Sequence, residues 1–278
     1  MENSRLSARR SFALLALRGG DAIPLAEGAL LIGAEESPGL DVAAYLSRID
    51  ALADEVREAV DNADGAHEAG MTLLRFLYGE QGFRGNPEHY YDPRNSFLHE
   101  VLDRRLGIPI TLSILYMAVA ERLGLRVEAI GLPGHFVLRL PESGAYLDPF
   151  TGQGNLTDAD CTQRVRALFG ESARVDRAML GAQTNREILT RVLVNLREIY
   201  RTRKDSTRLL SVLDRLVVLN PGAINPLRDR IRVLSQQGEY RRALRDLERL
   251  AELQPGLRRS QRYRNRRRFV RDMAVRMN

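Results

Sequence analysis

The chain has 278 residues, 44% hydrophobic and 28% charged, with 42 Lys+Arg against 36 Asp+Glu and a single Cys. Enough chain is present for a large core, the charge fraction is ordinary for a globular protein, and one thiol excludes an internal disulfide or a multi-cysteine zinc site. No apolar run approaches the ~20 residues that span a bilayer as a helix.

The charge is placed unevenly. Leu257 to Asn278 holds nine arginines and one acid, Asp272, a net of +8 out of a total of +6. The remainder is therefore slightly acidic, and the basic character belongs to the C-terminus.

At the N-terminus, Ser7-Ala8-Arg9-Arg10-Ser11-Phe12 resembles a twin-arginine export signal, but its apolar stretch ends at Leu17. That is shorter than the ~7–15 residues of a signal's hydrophobic region. Residues 1–24 are expected to form a mobile arm, and the protein is expected to be cytoplasmic. Leu25 to Ile32 reads as a helix, followed by a turn at Glu35-Glu36-Ser37-Pro38-Gly39. Asp41 should cap a helix carrying Val42, Tyr45, Leu46, Ile49, Leu52, Val56 and Val60 at helical spacing. Further helices are predicted over 66–78 and 96–105, with Asn95-Ser96 as the cap of the second.

Gly107-Ile108-Pro109 opens a long helix over 110–123 that is apolar nearly all round, which demands central burial. Gly124 ends it. Three strands of a small antiparallel sheet are expected over 125–130, 135–140 and 145–147, joined by Gly/Pro-rich turns. From residue 186 the pattern is helical, over 186–203, 207–219, 224–237 and 241–253. Leu219-Asn220-Pro221 recurs as Leu253-Gln254-Pro255, and Leu213 and Leu216 as Leu247 and Leu250, a period of 34. Two antiparallel helices per 34 residues is the tetratricopeptide pattern. Tyr200 takes its aromatic position and Ala243 a small-residue position. Two repeats are few, so a neighbouring domain or a cap such as 269–277 is needed.

His135 begins one predicted strand and Asp148 ends the next, so an antiparallel pair brings them roughly opposite. A carboxylate beside an imidazole fixes its tautomer and readies it as a general base. A nucleophile would best sit at the N-terminus of the long buried helix, where the dipole favours an anion.

Gly107–Ser113, Leu123-Gly124, Gly134-His135-Phe136-Val137 and Tyr146-Leu147-Asp148-Pro149 resemble the transglutaminase-like superfamily. With Gly82-Phe83-Arg84-Gly85-Asn86, Tyr90-Tyr91-Asp92-Pro93-Arg94-Asn95-Ser96-Phe97-Leu98, Leu132-Pro133-Gly134-His135-Phe136, Asp148-Pro149-Phe150, Arg228-Asp229-Arg230 and Tyr240-Arg241-Arg242-Ala243, the chain from about Leu25 to Pro255 resembles its SirB-type branch. The resemblance implies an α+β, cysteine-protease-like domain, with a small antiparallel sheet packed on a buried helix. An all-α tetratricopeptide-like region follows it. It also implies a Cys, His, Asp triad in that chain order.

Counting back from Leu123-Gly124 places the superfamily's Cys on or beside Pro109, and that helix has none. Thr111 and Ser113 are the neighbouring hydroxyls. The expected function is therefore a protein-interaction or regulatory scaffold on a degenerate transglutaminase-like domain. The alternative is an amide hydrolase or acyl transferase using Thr111 or Ser113 with His135 and Asp148. Cys161 lies in a loop-like stretch beside Asp158 and Asp160, which should raise its pKa. His67, His89 and His99 lack metal-ligand spacing, and neither a metal nor a cofactor is expected.

The expected domains are 1–24 (arm), 25–182 (transglutaminase-like), 183–256 (two repeats) and 257–278 (Arg-rich tail or capping helix). The repeats should hold a protein or peptide ligand, with Arg228, Arg230 and Arg232 favouring an acidic segment or a C-terminal carboxylate. Asn95 and Ser96 are candidates to line the cleft. The tail is expected to touch polyanions nonspecifically, and no membrane contact is expected.

Overall fold

The computed structural model describes residues 2–174 and 179–276. Residues 175–178 of the expected first domain, and 277–278 at the end of the expected cap, lie outside the described residues. The chain forms two compact units, 1–192 and 193–278. The division falls inside a helix rather than at the expected 182/183.

The first unit is built around α6 (Pro109–Arg122). Its residues from Pro109 to Ala120 are buried, Met117 excepted. Burying one Leu or Ile is worth about 1.5–3 kcal/mol, so a helix apolar on every face needs walls on every side. They are α2 (Leu25–Glu36), α3 (Val42–Asp61), α4 (Gly65–Leu74), α5 (Leu98–Arg104) and a strand, β4 (Val137–Arg139). Asp41 caps α3 as expected, accepting from Ala44 N at 3.0 Å. The buried Tyr116 hydroxyl donates to Gly70 O at 2.8 Å, tying α6 to α4. A Cβ on Gly33 of α2 would stand 2.4 Å from His99 Nδ1 of α5, so only glycine allows that approach.

Two short parallel strands, β1 (Arg84–Gly85) and β2 (Leu106–Gly107), lead to the start of α6. A four-stranded antiparallel sheet runs in chain order: β3 (Glu128–Ile130), β4, β5 (Tyr146–Asp148) and β6 (Gln153–Leu156). Three of these strands were expected. β6 was not among the expected strands, and its Gln-Gly-Asn-Leu lacks β-branched and aromatic residues. Gly154 within it lies where a Cβ would meet Met71 at 2.5 Å, so the strand is selected by close packing.

Three expectations are corrected. Residues 1–24 are no mobile arm: α1 (Glu2–Ala16) packs on α2, burying Phe12 and Leu15. Arg186 donates to Ala16 O and Arg18 O, which holds the following loop. The stretch around Cys161 is not a loop but α7 (Asp158–Phe169), opened by a reciprocal cap between Thr157 and Asp160. The helix expected over 96–105 divides at Phe97 into a 3-10 turn (Pro93–Ser96) and α5, and Asp92, not Asn95, caps the turn.

The second unit contains the end of α8 (Asn185–Thr202), then α9 (Ser206–Leu219), α10 (Ile224–Gln236), α11 (Tyr240–Leu253) and α12 (Gln261–Arg276). α9 and α11 start and end 34 residues apart. Ala243 is fully buried, as its small size requires for close helix packing. The Arg-rich C-terminus takes the capping form: α12 packs on α11, burying Val270, with Phe269 edge-on to Tyr240. A half-buried ion network ties the repeats together. Arg230 bonds Asp246 through two nitrogens at 2.7 Å each and Asp214 at 3.0 Å. Arg242 bonds Asp214 and Glu239.

Two outcomes follow for chemical denaturation. Phe12→Ala should destabilise the first unit by about 3–5 kcal/mol, the cost of emptying a buried aromatic site; an unchanged midpoint would restore the mobile arm. Arg230→Ala should cost the second unit roughly 3–5 kcal/mol, because Asp246 and Asp214 lose their shared cation.

Candidate functional site

Strand register places the site. β4 and β5 pair Leu138 with Leu147 and Arg139 with Tyr146, so the end of β5 lies beside the loop entering β4. His135 Nε2 meets Asp148 Oδ2 at 3.0 Å, and the expected pair is formed. Asp148 is completely buried. A lone buried carboxylate would be neutral, since burial disfavours its charged form. Here four groups hold it ionised: His135 Nε2, Arg164 at 2.7 Å, Phe150 N at 2.9 Å and Thr151 N at 3.4 Å. Burial pushes the acid's pKa up, but His135, Arg164 and the Phe150 amide outweigh it and leave it lowered.

Arg164 escaped the sequence reading because it sits on α7, sixteen residues beyond its partner. Gln153 Oε1 of β6 accepts from it at 2.6 Å and aims it. Arg191 was also missed. It donates to the carbonyls of Leu132 and His135 at 3.3 Å and lies 5.2 Å from the Phe136 ring centroid, bracing the His135 loop. No local motif marks an arginine that acts across more than fifty residues.

Asp148 is the sole side-chain partner of the His135 ring among the described residues. Thr111 and Ser113 are both buried and bonded to backbone. Thr111 Oγ1 donates to Asn95 O at 2.7 Å and accepts from Ile108 N at 3.2 Å. Ser113 Oγ donates to Pro109 O at 2.8 Å. Neither hydroxyl is joined to the imidazole. Cys161 is buried among Ile130, Leu132, Val137, Tyr146 and Val165. Burial, then Asp158, pushes its thiol up to about 11, so it is no thiolate at neutral pH.

Asn95 is a structural hinge pin rather than a free cleft residue. It is fully buried, accepts from Asn86 Nδ2 at 3.1 Å and donates to His89 O at 2.7 Å. Its own carbonyl receives the Thr111 hydroxyl, which fixes this loop to the start of α6. Ser96 is buried beside it, and its Oγ has no hydrogen-bond partner among the described residues. The rim near His135 is apolar: Leu168 and Phe169 are exposed and lie against Gly134. Tyr90 packs edge-on to both Tyr91 and Phe150.

In the second unit the expected residues separate. Tyr200 is buried and belongs to the core. Arg230 is half-buried, its guanidinium engaged by Asp246 and Asp214. Arg228 and Arg232 are exposed, and among the described residues they are held only by Gln254 at 2.8 Å and Asp229 at 3.1 Å respectively.

Comparison with known proteins fits this architecture. The transglutaminase-like superfamily profile matches residues 43–194, and a tetratricopeptide repeat profile matches 196–274. A UPF0162 protein of Xylella fastidiosa is 36% identical over 240 residues, covering 84% of this chain and 85% of that one. A UPF0162 protein of Pseudomonas aeruginosa is 33% identical over 197 residues, 71% and 72% of the two chains. Mouse F-box only protein 21 is 38% identical over 130 residues, 43% of this chain and 20% of that protein. No solved structure matches. With its central helix, its His–Asp sheet edge and the helical pairs that follow, the chain belongs to the transglutaminase-like superfamily, with tetratricopeptide repeats after the core domain.

Proposed function

We propose that this protein is an interaction scaffold of the SirB type, in which the transglutaminase-like domain is catalytically silent and the repeats hold a protein or peptide partner. One observation carries the reading. Pro109 stands where the superfamily resemblance expects a cysteine, and the hydroxyls beside it, Thr111 and Ser113, are buried and bonded to backbone carbonyls. A general base without a reachable nucleophile has nothing to activate.

On this reading the His135–Asp148 pair is a strut. It joins the loop entering β4 to the end of β5, and Arg164 extends the link to α7. The Arg-rich α12 adds nonspecific contact with polyanions, and the protein acts in the cytoplasm. No helix among the described residues is long and apolar enough to cross a membrane.

Activity and stability separate the scaffold from the Ser/Thr enzyme. Hydrolysis of amide and ester substrates, or their transfer to an amine donor, should not exceed the His135→Ala background. Turnover that His135→Ala abolishes would overturn the proposal. Asp148→Asn should lower stability at pH 7 by about 1.5–3 kcal/mol, the scale of hydrogen bonds to a charged group. The folded-state pKa of Asp148 is lowered, so its contribution is complete above the ordinary carboxylate range and fades as pH falls through the folded value. The gap between wild type and Asp148→Asn in a denaturation series should therefore close on acidification; a gap independent of pH would remove the ionic strut.

A further inference from the structure

α10 and α12 each carry two arginines one turn apart, Arg228 and Arg232 on the first, Arg262 and Arg266 on the second. Like charges at this spacing destabilise a helix. All four line one hollow of about 390 Å³, with Ile231, Leu247 and Leu250 among the residues beneath them. No acidic side chain lines it. Arg262 and Arg266 have no ion-pair partner among the described residues. Arg232 pairs only with Asp229, and Arg228 only with the neutral Gln254. Partial burial, then the charges of Arg232 and Arg262, lower the pKa of Arg266. Arg232 also lines an adjoining hollow with Arg197, Arg201 and Lys204, where Asp229 balances part of the charge.

Between the helices of the repeats, arginines do find carboxylates. Arg230, one residue from Asp229 on the same helix, has two carboxylate partners. The four arginines of the hollow lack such compensation among the described residues, the Arg232–Asp229 pair excepted, and they surround aliphatic side chains.

The geometry points to a binding site for an acidic peptide segment, whose carboxylates pair with Arg228, Arg232, Arg262 and Arg266 while an aliphatic side chain fills the hollow between them. The guanidinium fork matches a carboxylate with two parallel bonds. A single-stranded nucleic acid fits less well, because bases stack on aromatic faces. The hollow has one ring, Tyr263, and its floor is aliphatic. This site rests on the scaffold reading and gives its partner a chemistry.

The test uses the full chain and fluorescence anisotropy with a labelled decapeptide of alternating Leu and Glu. The peptide should bind, and replacing every Glu by Gln should weaken binding at least tenfold. Arg232→Glu combined with Arg266→Glu should weaken it at least tenfold, with the helical circular dichroism unchanged. Arg245→Glu, an exposed arginine outside the hollow, should stay within twofold of wild type and serves as the control for net charge. Failure of the peptide to bind, equal binding of the Gln peptide, or equal loss in Arg245→Glu would overturn the site. So would tighter binding of a ten-nucleotide oligouridine that the double variant abolishes. His135-dependent turnover would refute the scaffold reading while leaving this binding result in place.

Discussion

A helix with no polar face sets the plan of the first unit. α6 cannot border water on any side, so the chain must supply helices around it and a sheet against it before any site exists. The elements that do so come from both sides of it in sequence: α2 to α5 precede it and β4 follows. Its N-terminus is thereby held beside the loop that Asn95 organises. The same burial that fixes this position also determines its chemistry. A hydroxyl introduced into such surroundings must find a partner at once, and Thr111 and Ser113 find theirs in the nearest carbonyls.

The second constraint is the charge on Asp148. A buried carboxylate needs donors from several directions, and here they arrive from the loop before β4, from α7 and from the turn after β5. The arrangement reinforces segments that the β4–β5 pairing and the packing of Cys161 and Val165 also hold together. It is equally what a general base would require, so one and the same His–Asp pair suits a structural strut as well as catalysis. In the repeats the same electrostatic logic has two outcomes. Arg230 and Arg242 within the helix stack are matched by carboxylates, whereas Arg262 and Arg266 at the outer hollow have none among the described residues.

What could be read from the sequence depended on how local its cause was. The burial of α6 follows from one run of apolar residues, and the repeats follow from a period of 34, so both were legible. The His135–Asp148 pairing was legible because one short connection between strands enforces it. Arg164 and Arg191 were not, since their roles arise from tertiary placement. α1 was misjudged for a related reason: its apolar stretch was weighed only as a signal segment and found too short, yet Phe12 and Leu15 are buried and Arg9 pairs with the buried Glu35 of α2. Cys161 was placed in a loop although Thr157-Asp158-Ala159-Asp160 carries the Thr-x-x-acid signature of a helix start. Arg230 shows the limit of reading charge by position. It lies within a run of alternating arginines, and only the packed structure distinguishes the half-buried one from its exposed neighbours.

The contact of His99 with Gly33 acts as a key in a slot. The imidazole occupies the space of a missing side chain, while Ile32 and Ala34 on either side are filled and buried. Sliding α2 along α5 by one residue would drive a side chain into the ring, and a close-packed interior offers no intermediate setting. The two helices can therefore mesh in a single alignment. Because both also wall the central helix, that one notch sets the alignment of the scaffold from which the His–Asp edge is measured.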